Sequence, residues 1–355
     1  MPFSRKLIDW YLQHQRDLPW RQTKDPYKIW LSEIILQQTR VAQGLPYYQD
    51  FVRLFPSVFD LAKANEEQVL KTWQGLGYYS RARNLHHTAK HITESLDGAF
   101  PDNYTDLLKL KGVGSYTAAA IASFAYEEPV AVLDGNVYRV LSRYFGIETD
   151  ISSHAAKKEF QSLANQLIDP DRPSLFNQAI MEFGAIHCTP KKPDCTNCIY
   201  NESCVALQNH QVNKLPIKLK KTKITDRHLH YLVFLDVENN TIIEKRTGKG
   251  IWKNLYDFPL LELDNEAEET EVLKKIHDLY SKTHQIKTIG LFDEKKIIHK
   301  LSHQNLHIWF WKIKLKKAII KGVSLADISS YPFPIVLHNF IENSLLTRQK
   351  TISLK

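Results

Sequence analysis

"LKGVGSYTAAAIASFA" (residues 110–125) decides the fold expected for the first part of this chain. Gly112 and Gly114 stand just before an alanine-rich stretch without a helix breaker, so the segment predicts a tight turn that leads into a helix. The unpaired N–H groups at the start of such a helix can bind an anion. An ordinary pair of helices with glycines at the turn is the alternative.

The chain has 355 residues, of which 43% are hydrophobic and 24% charged, so it is long enough for two domains with separate cores. Lys and Arg number 47 against 39 Asp and Glu, which gives a net charge of +8. This excess suits a polyanionic partner, either a nucleic acid or a membrane surface. With DNA as the partner, the helix after Gly114 would contact a phosphate, which fixes position without reading sequence.

The hydrophobic pattern changes along the chain and predicts two domains. Residues 3–187 show helical spacing, and we assign residues 1–204 to an all-α domain. Residues 205–227 are polar, contain five lysines and lack a sustained period, so they predict a linker. Residues 228–355 predict an α+β domain. Its expected strands are Leu229–Val237, Thr241–Arg246 and Ile308–Lys316, and its expected helices cover 266–280 and 335–346.

Neither a signal peptide nor a membrane span is expected. The N-terminal residues form an amphipathic pattern, and the longest apolar stretch, Ala118–Tyr126, is far shorter than the roughly 20 residues of a membrane span. We therefore expect a cytoplasmic protein with no membrane association.

All four cysteines lie between residues 188 and 204, with the spacing Cys188-x6-Cys195-x2-Cys198-x5-Cys204. In a reducing compartment such a cluster predicts metal binding rather than disulfides. Four thiolates can hold a [4Fe–4S] cluster or one zinc ion. Zinc ribbons more often use two separated CxxC pairs, so the spacing favours the iron–sulfur cluster.

Two carboxylates stand among apolar neighbours. Glu33 lies in WLSEIILQQT (residues 30–39), where a desolvated glutamate would have a raised pKa and could donate a proton near neutral pH. Asp134 lies in LDGNVYRVLSR (residues 133–143) and is either a functional group or the cap of a helix that starts near Gly135. An exposed position on a polar helix face is the alternative for Glu33.

Five stretches and the cysteine spacing resemble the helix-hairpin-helix DNA glycosylases that carry an iron–sulfur cluster. The stretches are WLSEIILQQTRV (30–41), GLGYYSRARNL (75–85), KGVGSYTAA (111–119), VLDGNVYRVL (132–141) and FNQAIMEFGAIHC (176–188). The resemblance covers nearly the whole chain and is closest to the adenine DNA glycosylases of that family, which also carry a C-terminal Nudix-like domain. It implies one [4Fe–4S] cluster on the four cysteines, and a partner that is double-stranded DNA.

The resemblance implies hydrolysis of the N-glycosidic bond of an adenine flipped out of the duplex. Glu33 matches the acid that protonates adenine at N7. Asp134 matches the aspartate that stabilises the oxocarbenium-like sugar or traps it covalently, a division of labour that sugar hydrolases share. Tyr116 and Asn136 match positions that orient the sugar and Asp134, and Arg21 matches a residue that lines the adenine pocket.

Contacts with the rest of the duplex are implied in the same way. Gln38 and Tyr78 match residues that wedge into the base stack; without the resemblance, Tyr78 would be expected in the core. Ser302 and His303 match a Phe-Ser-His loop that inspects 8-oxoguanine, although Leu301 replaces the phenylalanine. The acidic run Glu266–Glu271 lacks the arginine of a Nudix metal helix, so no pyrophosphatase activity is expected.

The sequence therefore predicts a monomeric base excision repair enzyme that removes adenine opposite 8-oxoguanine or guanine. A relative that acts on another mismatch, such as T·G, is the alternative, and a non-catalytic iron–sulfur protein that binds DNA is a third hypothesis. Endonuclease III has a lysine where this chain has Tyr116, and some adenine glycosylases have one where it has Tyr138. A phenol cannot form a Schiff base, so we expect base removal without strand cleavage.

Overall fold

The computed structural model describes residues 2–219 and 223–347, and the chain divides into two compact units. Unit 1 comprises Met1–Lys63 and Asn84–Lys220, and unit 2 comprises Ala64–Arg83 and Lys221–Lys355. Unit 1 is helical and unit 2 is mainly α+β, so the fold classes expected from the sequence are confirmed.

The helices of the first 208 residues begin and end as follows: α1 Phe3–His14, α2 Pro26–Leu36, α3 Val41–Leu54, α4 Val58–Lys63, α5 Glu66–Thr72, α6 Ser80–Ser95, α7 Tyr104–Leu107, α8 Ser115–Tyr126, α9 Gly135–Phe145, α10 His154–Leu167, α11 Pro173–Glu182 and α12 Val205–Gln208. A 3₁₀ turn covers Pro19–Arg21, and a π-helical turn, Phe183–His187, follows α11.

Two of these helices, α2 and α8, are buried on nearly every side. Residues 29–35 of α2 and 117–124 of α8 are all buried, because both segments are apolar around the whole helix. The alanines of α8 let neighbouring backbones approach closely. Any polar side chain on these two helices is therefore held at a fixed place inside unit 1.

The turn before α8 requires glycine at one of its two glycine positions. Gly112 has φ +81°, and a Cβ atom built there would lie 2.7 Å from Asn84 Cβ. Gly114 is the N-cap of α8 with φ −91°, and a Cβ atom there would meet nothing within 4 Å. The Thr88 hydroxyl donates to Lys111 O at 2.8 Å and fixes the other side of the turn.

The predicted linker, 205–227, differs from the structure over most of its length. Residues 205–208 form α12, and Leu215 is only 3% exposed. Arg143 Nε donates to Leu215 O at 3.1 Å, and Ile151 N donates to Ile217 O at 2.9 Å. Main-chain pairing and one apolar anchor therefore attach this polar segment to unit 1. Residues 220–222 of the predicted linker lie outside the described residues.

The described residues of unit 2 contain nine strands, and five of them form one mixed sheet. The strands are β1 Thr225–Leu235, β2 Asn240–Thr241, β3 Glu244–Lys245, β4 Tyr256–Asp257, β5 Leu260–Leu263, β6 Ile286–Leu291, β7 Ile297–Lys300, β8 Gln304–Leu315 and β9 Val323–Ser324. The order β5-β1-β8-β6 is extended by β7, which also pairs with β8. β1 and β8 are parallel with His228 opposite His307, and the other pairings of this sheet are antiparallel.

The predicted strands of unit 2 are present with shifted ends. The segment expected as one strand, Thr241–Arg246, splits because Asn240–Thr241 pairs with β9 and Glu244–Lys245 pairs with β4. The helices are α13 Glu269–Tyr280 and α14 Ile335–Phe340, the latter continued by a π-helical turn, Ile341–Leu345, and preceded by a 3₁₀ turn, Ile328–Ser330. The last eight residues of the predicted domain, 348–355, lie outside the described residues.

Alternation along β1 and β8 builds the core of unit 2. Leu232, Phe234, Trp311 and Ile313 point to one face of the sheet, where α13 covers them with Val272 and Ile276.

No helix in the described part of the chain combines the length and apolar character needed to cross a bilayer.

The sequence suggested that residues 1–204 form one domain, whereas in the structure they are divided between the two units. Residues 64–83 belong to unit 2, where Glu67 accepts hydrogen bonds from Lys245 Nζ and the Tyr256 hydroxyl, each at 2.8 Å. Asn254 Nδ2 also donates to Glu66 Oε1 at 2.6 Å. These partners lie about 180 residues apart, so no local pattern predicts them.

We expect Gly112→Ala to lower the free energy of unfolding by about 2 kcal/mol, since an L residue in left-handed backbone is strained and its Cβ would press on Asn84. Gly114→Ala should change it by less than about 0.5 kcal/mol. Urea unfolding followed by circular dichroism measures both. Equal effects of the two substitutions would contradict the assignment of strain to Gly112.

Candidate active site

A cavity of about 490 Å³ in unit 1 brings together distant parts of the sequence. Five of the side chains singled out from the sequence line it: Arg21, Glu33, Tyr116, Asp134 and Asn136. They come from the 3₁₀ turn, from α2, from α8 and from the start of α9. The remaining predicted residues lie elsewhere.

Glu33 lies on α2 and is 7% exposed, which excludes the alternative of an exposed polar face. Burial raises its pKa from 4.5 to about 7, and the negative charge of Asp134 adds to that effect. A hydrogen bond with Tyr116 and the positive charge of Arg21 act in the opposite direction. This carboxyl group can therefore be protonated near neutral pH.

Tyr116, at the start of α8, lines the same cavity as the two carboxylates. Its hydroxyl forms a hydrogen bond with Glu33 and lies 3.2 Å from Met181 Sδ. Burial and the negative charges of Glu33 and Asp134 raise its pKa well above the usual value. The phenol thus stays neutral and can serve as a fixed hydrogen-bonding group.

Asp134 caps α9 and also faces the cavity. Its Oδ1 accepts from Asn136 N at 2.9 Å and from Val137 N at 2.8 Å, and its Oδ2 accepts from Asn136 Nδ2 at 2.8 Å. Burial nevertheless outweighs these bonds and raises the pKa of Asp134. The helix end therefore fixes the orientation of this carboxylate, but it does not alone determine its charge.

Asn136 is oriented by two partners at once. Its amide group donates to Asp134, while its Oδ1 accepts from Arg139 Nη2 at 2.8 Å. Arg139 also donates to Gly184 O at 2.6 Å and to Cys188 O at 2.8 Å. A Cβ atom at Gly184 would lie 2.7 Å from Asn136 Cβ, so this close approach needs glycine.

Arg21 is held by a buried carboxylate. Its Nη2 donates to Glu182 Oε2 at 2.7 Å, and Arg16 binds both oxygens of the same carboxylate, at 2.7 and 2.6 Å. Burial alone would raise the pKa of Glu182, but the two guanidinium groups lower it to about 2. The guanidinium of Arg21 also lies 5.5 Å from the centre of the Tyr11 ring.

Comparison with known proteins identifies the family. Residues 31–166 match the helix-hairpin-helix superfamily of base excision DNA repair proteins, and residues 230–343 match the NUDIX domain. An adenine DNA glycosylase of Buchnera aphidicola subsp. Schizaphis graminum is 38% identical over 307 residues, or 86% of each chain. The human adenine DNA glycosylase is 44% identical over 222 residues, 60% of this chain and 41% of the human one.

The chain belongs to the adenine DNA glycosylase family.

Solved structures agree with the fold of this glycosylase. A thermostable thymine-DNA glycosylase is 31% identical, with a TM-score of 0.55, and the match covers 58% of this chain and 95% of that one. Endonuclease III in a complex with DNA is 20% identical, with a TM-score of 0.51, over 58% of this chain and 94% of that one, and it supports the fold alone.

Gln38 and Tyr78 of the glycosylase share an unusual backbone conformation. Gln38 follows α2 with φ +55°, and Tyr78 precedes α6 with φ +46°. Both side chains are exposed, and Tyr78 is 46% exposed although it is a large aromatic residue. Left-handed backbone at a residue other than glycine is strained, and such strain is concentrated at functional sites.

The four cysteines of the glycosylase follow the π-helical turn, and all are partly buried. Burial raises the pKa of Cys198 to about 11 and also raises the pKa of Cys195 and Cys204, with added repulsion between the sulfurs. Arg143 Nη1 donates to Cys188 Sγ at 3.4 Å, and Tyr200 N donates to Cys198 Sγ at 3.4 Å. Within the described ranges, no three His, Cys, Asp or Glu side chains lie close enough together to hold a metal ion.

Ser302 and His303 lie in unit 2, in the tight connection between β7 and β8. Both are exposed, and Ser302 Oγ lies 3.2 Å from His303 Nδ1. His303 O accepts from Thr225 N at 3.1 Å, and Leu301 N donates to Gln304 O at 2.7 Å, so the loop backbone is fixed. Leu301 is partly buried.

Sequence reasoning missed three residues that organise the cavity: Arg139, Glu182 and Gly184. Glu182 is an acidic residue inside the apolar stretch FNQAIMEFGAIHC, which is the same signal that singled out Glu33. Arg139 lies three residues after Asn136, which is helical spacing for side chains on one face. The partners of Arg139 lie 45 and 49 residues away, so its role needed the structure.

We expect Glu33→Gln to stabilise the glycosylase at high pH. The folded pKa of about 7 exceeds the unfolded value, so the contribution of Glu33 to stability is fully present below about pH 4 and is lost as pH rises through 7. The variant lacks this loss, and its advantage should grow by about 2–3 kcal/mol from pH 5 to pH 8. Urea unfolding at both pH values measures it.

Glu182→Gln provides the matched comparison with the opposite sign. The folded pKa of Glu182 is about 2, so its contribution is present above about pH 4.3 and disappears as pH falls towards 2. The variant should be about 3 kcal/mol less stable than wild type at pH 7, with a smaller deficit at pH 3. The same sign for both variants at pH 8 would contradict these pKa shifts.

Proposed function

We propose that this enzyme removes adenine from duplex DNA where adenine stands opposite 8-oxoguanine or guanine. The observation that carries the proposal is a carboxyl group with a pKa of about 7, Glu33, in the same buried cavity as Asp134. One carboxyl group is suited to donate a proton and the other to stabilise positive charge. The names of the relatives support adenine as the base that leaves.

In the first step, protonated Glu33 gives its proton to N7 of an adenine that has been flipped into the cavity. The bond between N9 and the sugar carbon C1′ then breaks, and its electron pair leaves with the base. Protonation makes adenine a better leaving group because no negative charge develops on the departing ring. Arg21 keeps its place beside the base through Glu182.

In the second step, Asp134 faces the positive charge that develops on the sugar. Asn136 and the backbone N–H groups of α9 fix one orientation of this carboxylate, so it need not reorganise during the reaction. Either ion pairing or a transient bond to C1′ stabilises the sugar. Water then adds its oxygen to C1′ as Asp134 is released, and its proton passes to the Glu33 carboxylate, which leaves an abasic site.

Recognition of the opposite base is assigned to unit 2. Ser302 and His303 present hydrogen-bonding groups at the surface of a fixed loop, which suits the polar edge of 8-oxoguanine. Leu301 offers an apolar contact instead of an aromatic stack. Gln38 and Tyr78 would enter the base stack, and the hairpin with Gly112 and Gly114 would hold a phosphate.

The number and spacing of the cysteines suit a [4Fe–4S] cluster. Cys188, Cys195, Cys198 and Cys204 would supply one thiolate to each iron, and two of the sulfurs already accept N–H hydrogen bonds of the kind that such clusters use. A bound cluster would tie residues 188–204 together. Arg139 donates to Cys188 O and to Asn136, and Asn136 donates to Asp134. The cysteine loop would therefore help to fix the orientation of Asp134 through these two residues.

Strand cleavage requires an amine at C1′. Lys24 lines the cavity but is ion-paired with Glu127, and this chain has no lysine at the two positions where relatives carry one. Tyr116 and Tyr138 stand there, and a phenol cannot form an imine. Base removal without strand cleavage follows. Borohydride trapping should give little covalent complex with wild type, and Tyr116→Lys should increase it.

We expect Glu33→Gln to keep duplex binding and to lose about 10²-fold to 10⁴-fold in single-turnover excision, because general acid catalysis is worth that much. Duplexes with A·8-oxoG, A·G, A·C and T·G are incubated with enzyme, and alkali reveals the abasic sites. Gln22→Glu, at an exposed pair with Asp17, is the control for a nearby change of charge.

Two outcomes would overturn this assignment. Retention of more than about a tenth of the wild-type rate by Glu33→Gln would remove Glu33 from the acid role. Wild-type excision of thymine from T·G, with none of adenine, would instead favour an activity like that of the 31% identical thymine-DNA glycosylase.

We expect the purified protein to be yellow-brown and to contain about four irons per chain without stoichiometric zinc. Cys198→Ser should lower the iron content sharply, since three thiolates would remain. Elemental analysis measures both metals on the same sample. One zinc and little iron in the wild-type protein would contradict the cluster.

A further inference from the structure

The loop between α5 and α6, residues 73–79, lies in unit 2 and contains three residues with positive φ. Gly75 and Gly77 have φ values of +106° and +72°, and Tyr78 follows with +46°. Tyr78 is exposed, whereas the next residue, Tyr79, is 5% exposed. A strained, exposed aromatic residue persists only where the surrounding structure enforces it.

Arg81 lies beneath this loop and is 9% exposed. Its Nη2 donates to Leu76 O at 3.2 Å and to Gly77 O at 3.3 Å. Its guanidinium carbon lies 5.0 Å from the centre of the Trp73 ring and 5.7 Å from that of Tyr78. One planar cation therefore contacts both the loop backbone and the face of the exposed ring.

Two other side chains fix the same loop. Trp73 Nε1 donates to Gly77 O at 3.0 Å, so this carbonyl accepts from both Trp73 and Arg81. Gly75 N donates to the Tyr79 hydroxyl at 3.4 Å, and this hydroxyl donates to Phe333 O at 3.4 Å. Arg81 adds to these contacts a cation placed over the Tyr78 ring itself.

The cost of burying Arg81 argues against a passive role. Burial lowers its pKa to about 10, which means that the protein pays to keep a cation in this place. An apolar side chain of similar length would pack beside Trp73 without that penalty. What the cation adds is donors for two carbonyls and an attraction to an aromatic face.

We propose that Arg81 is a positioning residue that presets Tyr78 for insertion into the base stack of duplex DNA. Its Nη2 holds the carbonyls of Leu76 and Gly77, and its planar guanidinium lies over one face of the Tyr78 ring. The phenol ring then enters the DNA without first being ordered, which lowers the cost of binding. The proposal rests on the proposed function, because it takes duplex DNA as the substrate.

The test measures unstacking directly. A duplex with A·8-oxoG carries 2-aminopurine next to 8-oxoguanine, and its fluorescence rises when a side chain separates it from its neighbour. All proteins carry Glu33→Gln so that the DNA stays intact. The variants are Tyr78→Ala, Arg81→Lys, Arg81→Met and the double variant Tyr78→Ala with Arg81→Met. Single-turnover excision is measured separately with Glu33 present.

We expect Tyr78→Ala to abolish the fluorescence rise and to lower excision about 10-fold, the lower part of the range for one stacked base. Arg81→Met should do nearly the same, and Arg81→Lys should too, since a compact ammonium has no planar face to lie against the Tyr78 ring. The double variant should be no worse than Tyr78→Ala. Arg83→Met is the matched control, because Arg83 lies on the same helix and donates to Lys253 O.

Three results would overturn the proposal. The losses of Tyr78→Ala and Arg81→Met could multiply in the double variant, which would mean independent roles. Arg81→Met could lower the melting temperature and leave the fluorescence rise intact, which would mean a structural role alone. Arg81→Lys, the milder change, could behave as wild type, which would show that charge alone suffices.

Failure of the proposed function gives a different pattern. A wild-type protein that excises no adenine would refute that function. The fluorescence comparison between Tyr78 and Arg81 variants would still decide the positioning role on the same DNA.

Discussion

Glu33 sits on a helix that is buried on nearly every side, so its carboxyl group is cut off from bulk water. A carboxyl group with a pKa of about 7 is neutral for much of the time at physiological pH, which lets Asp134 lie in the same cavity without full repulsion. The neutral Tyr116 phenol forms a hydrogen bond with Glu33, and Arg21 donates to Glu182.

The start of α9 connects this cavity to the cysteine loop. Asp134 is fixed by backbone N–H groups and by Asn136, and Asn136 is fixed by Arg139, which also binds carbonyls of Gly184 and Cys188. Helix capping and catalysis, which appeared as alternatives for Asp134, are compatible. As an N-cap, the carboxylate accepts hydrogen bonds from the first N–H groups of α9, which fix its orientation. In the reaction, the same carboxylate would contribute its negative charge.

Local sequence signals predicted what local physics determines. The glycine turn before α8 and the N-cap at Asp134 each depend on a few neighbouring residues. The raised pKa of Asp134 could not be predicted from the sequence, because burial depends on everything packed around the carboxylate. Here the effect of burial outweighs the hydrogen bonds of the cap. The packing of residues 205–219 was missed because their polar composition hides one buried leucine and several main-chain pairings.

Residues 64–83 have a consequence for how the chain folds during synthesis. The segment leaves the ribosome long before β3 and β4, yet Glu67 is bound by Lys245 and Tyr256 in those strands. At ordinary synthesis rates it waits roughly ten seconds or more for these partners. Until then Glu66 and Glu67 of α5 lack these partners. An early part of the chain therefore completes its hydrogen bonds only after a late part has been made.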